Sequence, residues 1–186
     1  MYIYDFIQGL IIGGTLIIAI GPQNLFVIQQ GLKKSYVFTV TLFCSLSDSL
    51  LIVIGIYLSN YIVQINPSII GIIKVLGGIW LIFYGLNKVI KLNQIKDINK
   101  ELNIINKYGK VLITLFLITY ANPHVYLDTI ILLGSLSTNF NDQFSFGVGA
   151  ISASFLFFFS LGYMSKFLSK YIYSNKTWFW IDLTIG

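Results

Sequence analysis

The sequence predicts an all-α, polytopic membrane protein whose helices cross the bilayer. Hydrophobic residues make up 56% of its 186 residues and charged residues only 10%, whereas a soluble domain carries about 25% charged residues. Residues 6–32, 49–73 and 143–165 contain no charged side chain, and about 20 apolar residues suffice to cross a bilayer core. A chain this apolar cannot cover a soluble surface, so soluble enzymes and nucleic-acid-binding proteins are excluded.

The apolar segments predict five complete spans and the start of a sixth. The five run through Phe6–Ile28, Tyr36–Tyr57, Ile69–Val89, Val111–Leu136 and Phe144–Phe167. After them, the nine residues Trp178–Gly186 end the chain. As a helix these residues would rise about 14 Å, less than half of the roughly 30 Å core. We therefore expect the chain to be truncated within its sixth span, by roughly 15–20 residues.

The lysines predict the orientation of the chain. All twelve basic residues are lysines, the net charge is +5, and eleven of the lysines fall in alternate connections. These eleven are Lys33, Lys34, Lys88, Lys91, Lys96, Lys100, Lys107, Lys110, Lys166, Lys170 and Lys176. Lysine-rich connections face the cytoplasm, which predicts a protein of the cytoplasmic membrane with its N-terminus outside. Lys74 is the exception, and we expect it to snorkel from the outer end of the third span.

The connection over residues 91–110 is the only substantial polar segment. Apolar residues recur in it at helical spacing, at Ile95, Ile98, Leu102 and Ile105. That spacing is typical of an amphipathic helix on the inner leaflet. A solvated linker with accidental spacing explains it equally well, because asparagine lowers helix propensity.

Two similar proline segments divide the chain into halves. Pro22 and Pro123 lie 101 residues apart, and each falls inside an apolar run in the first span of its half. The first half, about 1–90, holds three spans, and the second, about 111–186, is its incomplete counterpart. An odd number of spans reverses the orientation of the second half, which predicts a 3+3 inverted repeat within a single transporter domain.

The two prolines free backbone carbonyls one turn earlier, and in lipid these groups need new partners. We interpret the segments as two broken helices. Their hinge residues are Gly21, Pro22 and Pro123. The amides that would line a substrate cavity are those of Gln23, Asn24 and Asn122. The alternative is a pair of simple kinks in which the asparagines cap the freed groups.

Two acidic residues lie inside predicted spans. Asp48 is about 18 Å along the helix from Tyr36, near the midplane, and Asp128 follows the second proline. Because a carboxylate in the membrane is costly, each should face a cavity or a partner. The alternative is a protonated side chain bonded to a neighbouring helix. His124 is either a proton relay or a satisfied core histidine. One histidine and one cysteine, Cys44, predict no metal site, and no cofactor is expected.

Three motifs together resemble the lysine exporter (LysE type) family, in its branch for basic amino acids. They are Gly21–Gly31, Ser47-Asp48-Ser49, and Asn122–Asp128 followed by Gly134-Ser135. The resemblance extends to the closing Ile181–Gly186, which is similar to the start of that family's last helix, and covers nearly the whole chain. It implies a six-span inner-membrane exporter of L-lysine or L-arginine.

The hypothesis that follows is export of lysine or arginine by proton antiport, with Asp48 and Asp128 binding substrate cations and protons in turn. Moving one positive charge outward against 100 mV costs about 2.3 kcal/mol, which inward protons would offset. The expected partners are basic amino acids, protons and the lipid bilayer, without nucleic acid, and a homo-oligomer stays open.

Two alternative functions stay open, and a third is disfavoured. A neutral amino-acid exporter for homoserine or threonine and an inactive truncated remnant both stay open. An intramembrane aspartyl protease is disfavoured because its Gly-x-Gly-Asp motif is absent: Leu46-Ser47 precede Asp48, and Tyr126-Leu127 precede Asp128. The chain is therefore expected not to be an enzyme.

Overall fold

The structure is a computed structural model that describes residues 2–18, 21–66 and 108–172, with residues 68, 72, 75, 76 and 79 between them. All regular elements in these residues are helical, which confirms the all-α class. They are α1 (Ile3–Ile17), α2 (Pro22–Leu32), α3 (Val37–Ile65), α4 (Tyr108–Tyr120), α5 (Pro123–Tyr126), a π-helical segment π1 (Leu127–Leu133), α6 (Gly134–Ser137) and α7 (Gln143–Ile172).

Two helices, α3 and α7, are long and apolar enough to cross a membrane without interruption. The qualifying stretches are Val37–Ile62, with 26 residues, and Gln143–Lys170, with 28. At 1.5 Å per residue they extend about 39 and 42 Å, more than the roughly 30 Å core. They coincide with the second and fifth predicted spans and continue beyond the predicted ends.

The first and fourth predicted spans each form a bent pair of helices, and we call these pairs the first and second broken spans. Helices α1 and α2 meet at 83°, and α4 meets the segment His124–Ser137 at 58°. Pro22 is the first residue of α2, and Pro123 is the first residue of α5. Proline is favoured at this position because its missing N–H would have no helical partner there. Bends this large favour the broken-helix interpretation over simple kinks.

The relative directions of the helices follow from their contacts. Helix α1 runs parallel to α7, because Gly9 lies against Phe146 and Gly13 against Ala150. Helix α3 runs antiparallel to α7. The rings of Phe38 and Phe159 lie 5.9 Å apart near one end, and Gly147 meets the Ile56 side chain near the other.

Helix α4 runs in the same direction as α3. The ring centroids of Tyr36 and Tyr108 lie 5.2 Å apart in a tilted arrangement at the start of both helices, and the Tyr120 hydroxyl donates to Ser47 further along. The described lysines consequently share one end of the bundle, which we call the lysine end. This arrangement agrees with the alternation of spans, while the side of the membrane on which the lysine end lies stays a prediction.

Glycines bring helix backbones into direct contact. A Cβ at Gly9 would collide with the Phe146 carbonyl oxygen, and one at Gly134 would lie 2.5 Å from that of Gly55. Small residues permit such close approach between membrane helices. The result is a tight α1–α7 pair and a tight contact between α3 and the segment that follows the second break.

Two apolar clusters fill the interior on either side of the middle of the bundle. The cluster towards the lysine end consists of Phe26, Val27, Val40, Cys44, Val111, Leu115 and Phe158. The cluster towards the opposite end consists of Ile52, Leu133, Phe146 and Ala150. The polar residues discussed below lie between the two.

Several predictions fall outside the described residues. They concern the third span (Ile69–Val89), the exceptional Lys74, the polar connection up to residue 107, and the start of a sixth span at Trp178–Gly186. All of them stay predictions.

Candidate functional site

A cavity lies where the two broken spans meet α3. Its polar lining residues are Gln23, Asn24, Asp48, Asn122, His124, Asp128 and Thr129. All six polar residues singled out from the sequence are thus brought together in one place, and the hinge residue Gly21 lines the same cavity. They come from regions up to about 100 residues apart in the sequence.

The cavity is small, and apolar side chains border it on two sides. Its volume is about 60 Å³. One water molecule needs roughly 10–15 Å³, whereas small-molecule sites begin at roughly 300 Å³, so the cavity has room for a few waters only. Ile52 and Leu133 border it from the cluster opposite the lysine end, and Phe158 borders it from the other cluster. Binding of an amino acid therefore requires the walls to move apart.

Asp48 enters the cavity from the middle of α3. Its side chain is buried, with 4% of its surface exposed, and Ser154 Oγ donates a hydrogen bond to Asp48 Oδ2 over 3.1 Å. The antiparallel packing of α7 on α3 places this serine level with the carboxylate. Asp48 and Asp128 are close enough to interact electrostatically, so the site concentrates two carboxyl groups.

Asp128 enters from π1, directly after the second break. His124 Nε2 lies 3.1 Å from Asp128 Oδ2, a pair four residues apart. The other carboxyl oxygen, Oδ1, is buried and has no hydrogen-bond partner among the described residues. π-Helical turns are rare and occur often at functional sites. One acceptor atom of Asp128 is therefore available to a bound group.

The break between α1 and α2 places two side-chain amides at the cavity. Gln23 is 6% exposed, and within the described part of the chain its Nε2 has no hydrogen-bond partner. Asn24 Nδ2 donates to the Ile17 carbonyl at the end of α1, over 3.0 Å. The asparagine side chain thus replaces a helical hydrogen bond that the break removes.

The second break is held by three hydrogen bonds. Asn122 Oδ1 accepts from the His124 backbone N–H at 3.1 Å. Tyr126 Oη donates to the Tyr120 carbonyl at 2.6 Å, and Tyr120 Oη donates to Ser47 Oγ at 3.1 Å. The asparagines therefore do cap freed groups, as the kink alternative supposed, and they line the cavity as well.

Sequence reasoning missed several residues of this site. Ser154 and Phe158 lie in an apolar helix with many serines and phenylalanines, and nothing local marks them. The His124–Asp128 pair did have a signal, because residues four apart share one face of a helix. In the described residues no three His, Cys, Asp or Glu side chains gather as metal ligands.

Comparisons with known proteins agree on one family. A family model described as LysE type translocator matches residues 15–186. The chain is similar to the "Arginine exporter protein ArgO" of Escherichia coli (strain K12) and of Shigella flexneri. Identity to each is 34% over 190 residues, which cover 100% of this chain and 89% of the relative.

The protein of the same name from Salmonella schwarzengrund (strain CVM19633) is 33% identical over 185 residues, which cover 97% of this chain and 87% of the relative. No solved structure matches the chain at a significant level.

Proposed function

This chain belongs to the LysE type translocator family, and we propose that it exports basic L-amino acids, arginine first among them, across the cytoplasmic membrane. The observation that carries the proposal is the convergence of Asp48 and Asp128 on one cavity between two broken spans. The relatives are named as arginine exporters, which supports arginine as the substrate over lysine.

The charges of the cavity favour a cationic substrate. Among the described residues, the cavity lining includes two carboxyl groups and no lysine. Carboxylates inside a membrane require compensation by a cation, by a proton or by strong hydrogen bonds. A basic amino acid brings an extra positive charge, whereas threonine or homoserine brings none beyond its own zwitterion.

Proton antiport is the coupling that we propose. Two carboxyl groups at one site are neutralised either by the substrate cation or by protons, and the two compete. Exchange of one cationic amino acid for one inward proton moves no net charge. It therefore avoids the cost of about 2.3 kcal/mol for each charge moved outward against 100 mV. His124, bonded to Asp128, is placed to pass the proton.

Movement of the broken spans would open the cavity alternately to each side. We propose that the chain is a single transporter domain whose halves form an inverted repeat and rock about Gly21, Pro22 and Pro123, with the N-terminus outside. The two apolar clusters on either side of the cavity would serve as its inner and outer seals. This use of broken helices at mid-membrane is general among secondary transporters.

Efflux of labelled arginine, lysine and threonine from preloaded bacterial cells tests the proposal. We expect Asp48→Asn to reduce arginine efflux at least about tenfold, because hydrogen bonds to charged groups are worth about 1.5–3 kcal/mol. The matched control is Asp5→Asn. Asp5 is also buried, but it lies outside the cavity lining, where it accepts a hydrogen bond from the Asp142 N–H.

Membrane abundance of both variants is measured by immunoblot, so that loss of protein is separated from loss of transport. Normal arginine efflux by Asp48→Asn would contradict the proposed mechanism. Efflux of threonine alone by the parent chain would contradict the basic substrate class.

A further inference from the structure

We propose that the first broken span binds the α-carboxylate of the substrate through Gln23 and the N-terminus of α2. The acidic residues across the cavity, Asp48 and Asp128, bind its cationic groups. The inference rests on the proposed function and deepens it. It predicts that free basic amino acids are exported and that their decarboxylated amines are rejected.

The Gln23 side chain carries a buried amide donor. It lines the cavity, only 6% of it is exposed, and its Nε2 makes no hydrogen bond within the described residues. The Cys44 side chain interacts with Gln23, yet sulfur is a weak hydrogen-bond acceptor. Burying an amide donor unsatisfied is costly, so a ligand oxygen at Nε2 would recover that loss.

The backbone beside Gln23 also favours binding of a carboxylate. Helix α2 has eleven residues, and its N-cap, Gly21, supplies no side-chain hydrogen bond. A Cβ added at Gly21 would meet no atom of the described residues within 4 Å, so these residues leave space at this helix end. Uncapped helix N-termini carry partial positive charge and bind carboxylates and phosphates.

The second broken span does not compete for the carboxylate. Asn122 Oδ1 already caps the start of α5 by accepting from the His124 N–H. This wall brings to the cavity Asp128 Oδ1, a buried acceptor with no hydrogen-bond partner in the described part of the chain. The first wall therefore offers the Gln23 amide donor and the second a carboxyl acceptor, which matches a molecule that is anionic at one end and cationic elsewhere.

Transport by proteoliposomes containing the 186-residue chain tests this assignment without any substitution. The probes are labelled arginine and agmatine, which is arginine without its carboxylate, with no membrane potential imposed. We expect arginine to move at least about tenfold faster, since a charge-assisted hydrogen bond is lost with the carboxylate. Equal rates would overturn the inference while leaving basic-amine export intact. Transport of neither probe would overturn both the proposed function and the inference.

Substitution of Gln23 sharpens the test. Gln23→Met keeps the side-chain length and removes the donor, so arginine transport should fall about tenfold while agmatine transport changes little. Gln23→Glu should go further and favour agmatine over arginine, because it repels the carboxylate. The matched control is Gln30→Met in the same helix. Gln30 is 1% exposed and is not among the cavity-lining residues.

The ratio of arginine to agmatine transport is the deciding readout, since a purely structural role of Gln23 would lower both rates together. A ratio that collapses in Gln23→Met and persists in Gln30→Met supports the inference. A ratio that stays unchanged in Gln23→Met overturns it.

Discussion

The two broken spans are built alike at their breaks. In each, a proline begins the second helix, and a side chain beyond the break donates to a carbonyl before it. Asn24 Nδ2 reaches back seven residues to the Ile17 carbonyl, and Tyr126 Oη reaches back six residues to the Tyr120 carbonyl. These bonds supply the partners that freed backbone groups need in lipid. The common design is consistent with the proposed repeat.

The chemistry that the two spans present to the cavity is opposite. The first offers an uncapped helix N-terminus and the Gln23 amide. The second has its N-terminus capped by Asn122, and π1 then brings in the carboxyl group of Asp128. The comparison indicates that one way of breaking a helix can serve two roles, with the role set by the residues that flank the proline.

The largest effect on transport is expected from removing the acidic group of the second broken span, which leaves it with an amide like the first. Asp128→Asn removes the carboxyl charge that we assign to the substrate cation, so arginine efflux should fall roughly 100-fold. It is measured in preloaded cells at matched membrane abundance. Asp142→Asn is the control, because Asp142 caps the start of α7 outside the cavity. Retention of full arginine efflux by Asp128→Asn would show that the spans do not differ in this way.

A second difference is steric. The second broken span packs tightly, because a Cβ at Gly134 would lie 2.5 Å from the Gly55 carbonyl oxygen. A Cβ at Gly21 in the first would contact none of the described residues, at an extended backbone with φ −113°. Gly134→Ala should therefore cost about 1–3 kcal/mol through overpacking, and Gly21→Ala should cost little. Unfolding in detergent measures both, and equal losses would contradict the difference in packing.

The smallest effect is expected from removing the hydrogen bond across the break, which both broken spans have. Tyr126→Phe removes only the hydroxyl that bonds the Tyr120 carbonyl, so stability should fall by about 0.5–1.5 kcal/mol. Tyr163→Phe, at a half-exposed position on α7, is the control and should change stability less. The same detergent unfolding assay compares them. Identical midpoints for the two variants would mean that the bond across the second break contributes nothing.

Much of the site was predictable because the membrane makes polar residues conspicuous. Asp48 stands alone in an apolar span, and Pro22 and Pro123 interrupt apolar runs, so each predicts a departure from a plain helix. Ser154, by contrast, becomes part of the site only through the packing of α7 on α3. No local pattern distinguishes it from the other serines of its helix.

The sequence also does not predict the local backbone geometry of the site. The π-helical turn over Leu127–Leu133 follows no compositional rule, and the backbone contact between Gly55 and Gly134 depends on two helices that are distant along the chain. Where the structure describes the predicted spans, their helical character is confirmed but their ends are not. Helix α2 continues to Leu32 and α3 to Ile65, beyond the predicted Ile28 and Tyr57. Helix ends depend on capping and packing as much as on apolarity.

Equilibrium binding of labelled arginine to the purified chain tests the central claim most directly, namely that two chemically opposite broken spans form one site. The account predicts one bound arginine per chain, with binding weakened at least about tenfold by Gln23→Met and by Asp128→Asn, and unchanged by Gln30→Met. Loss of binding from a substitution in one span only, with none from the other, would contradict it.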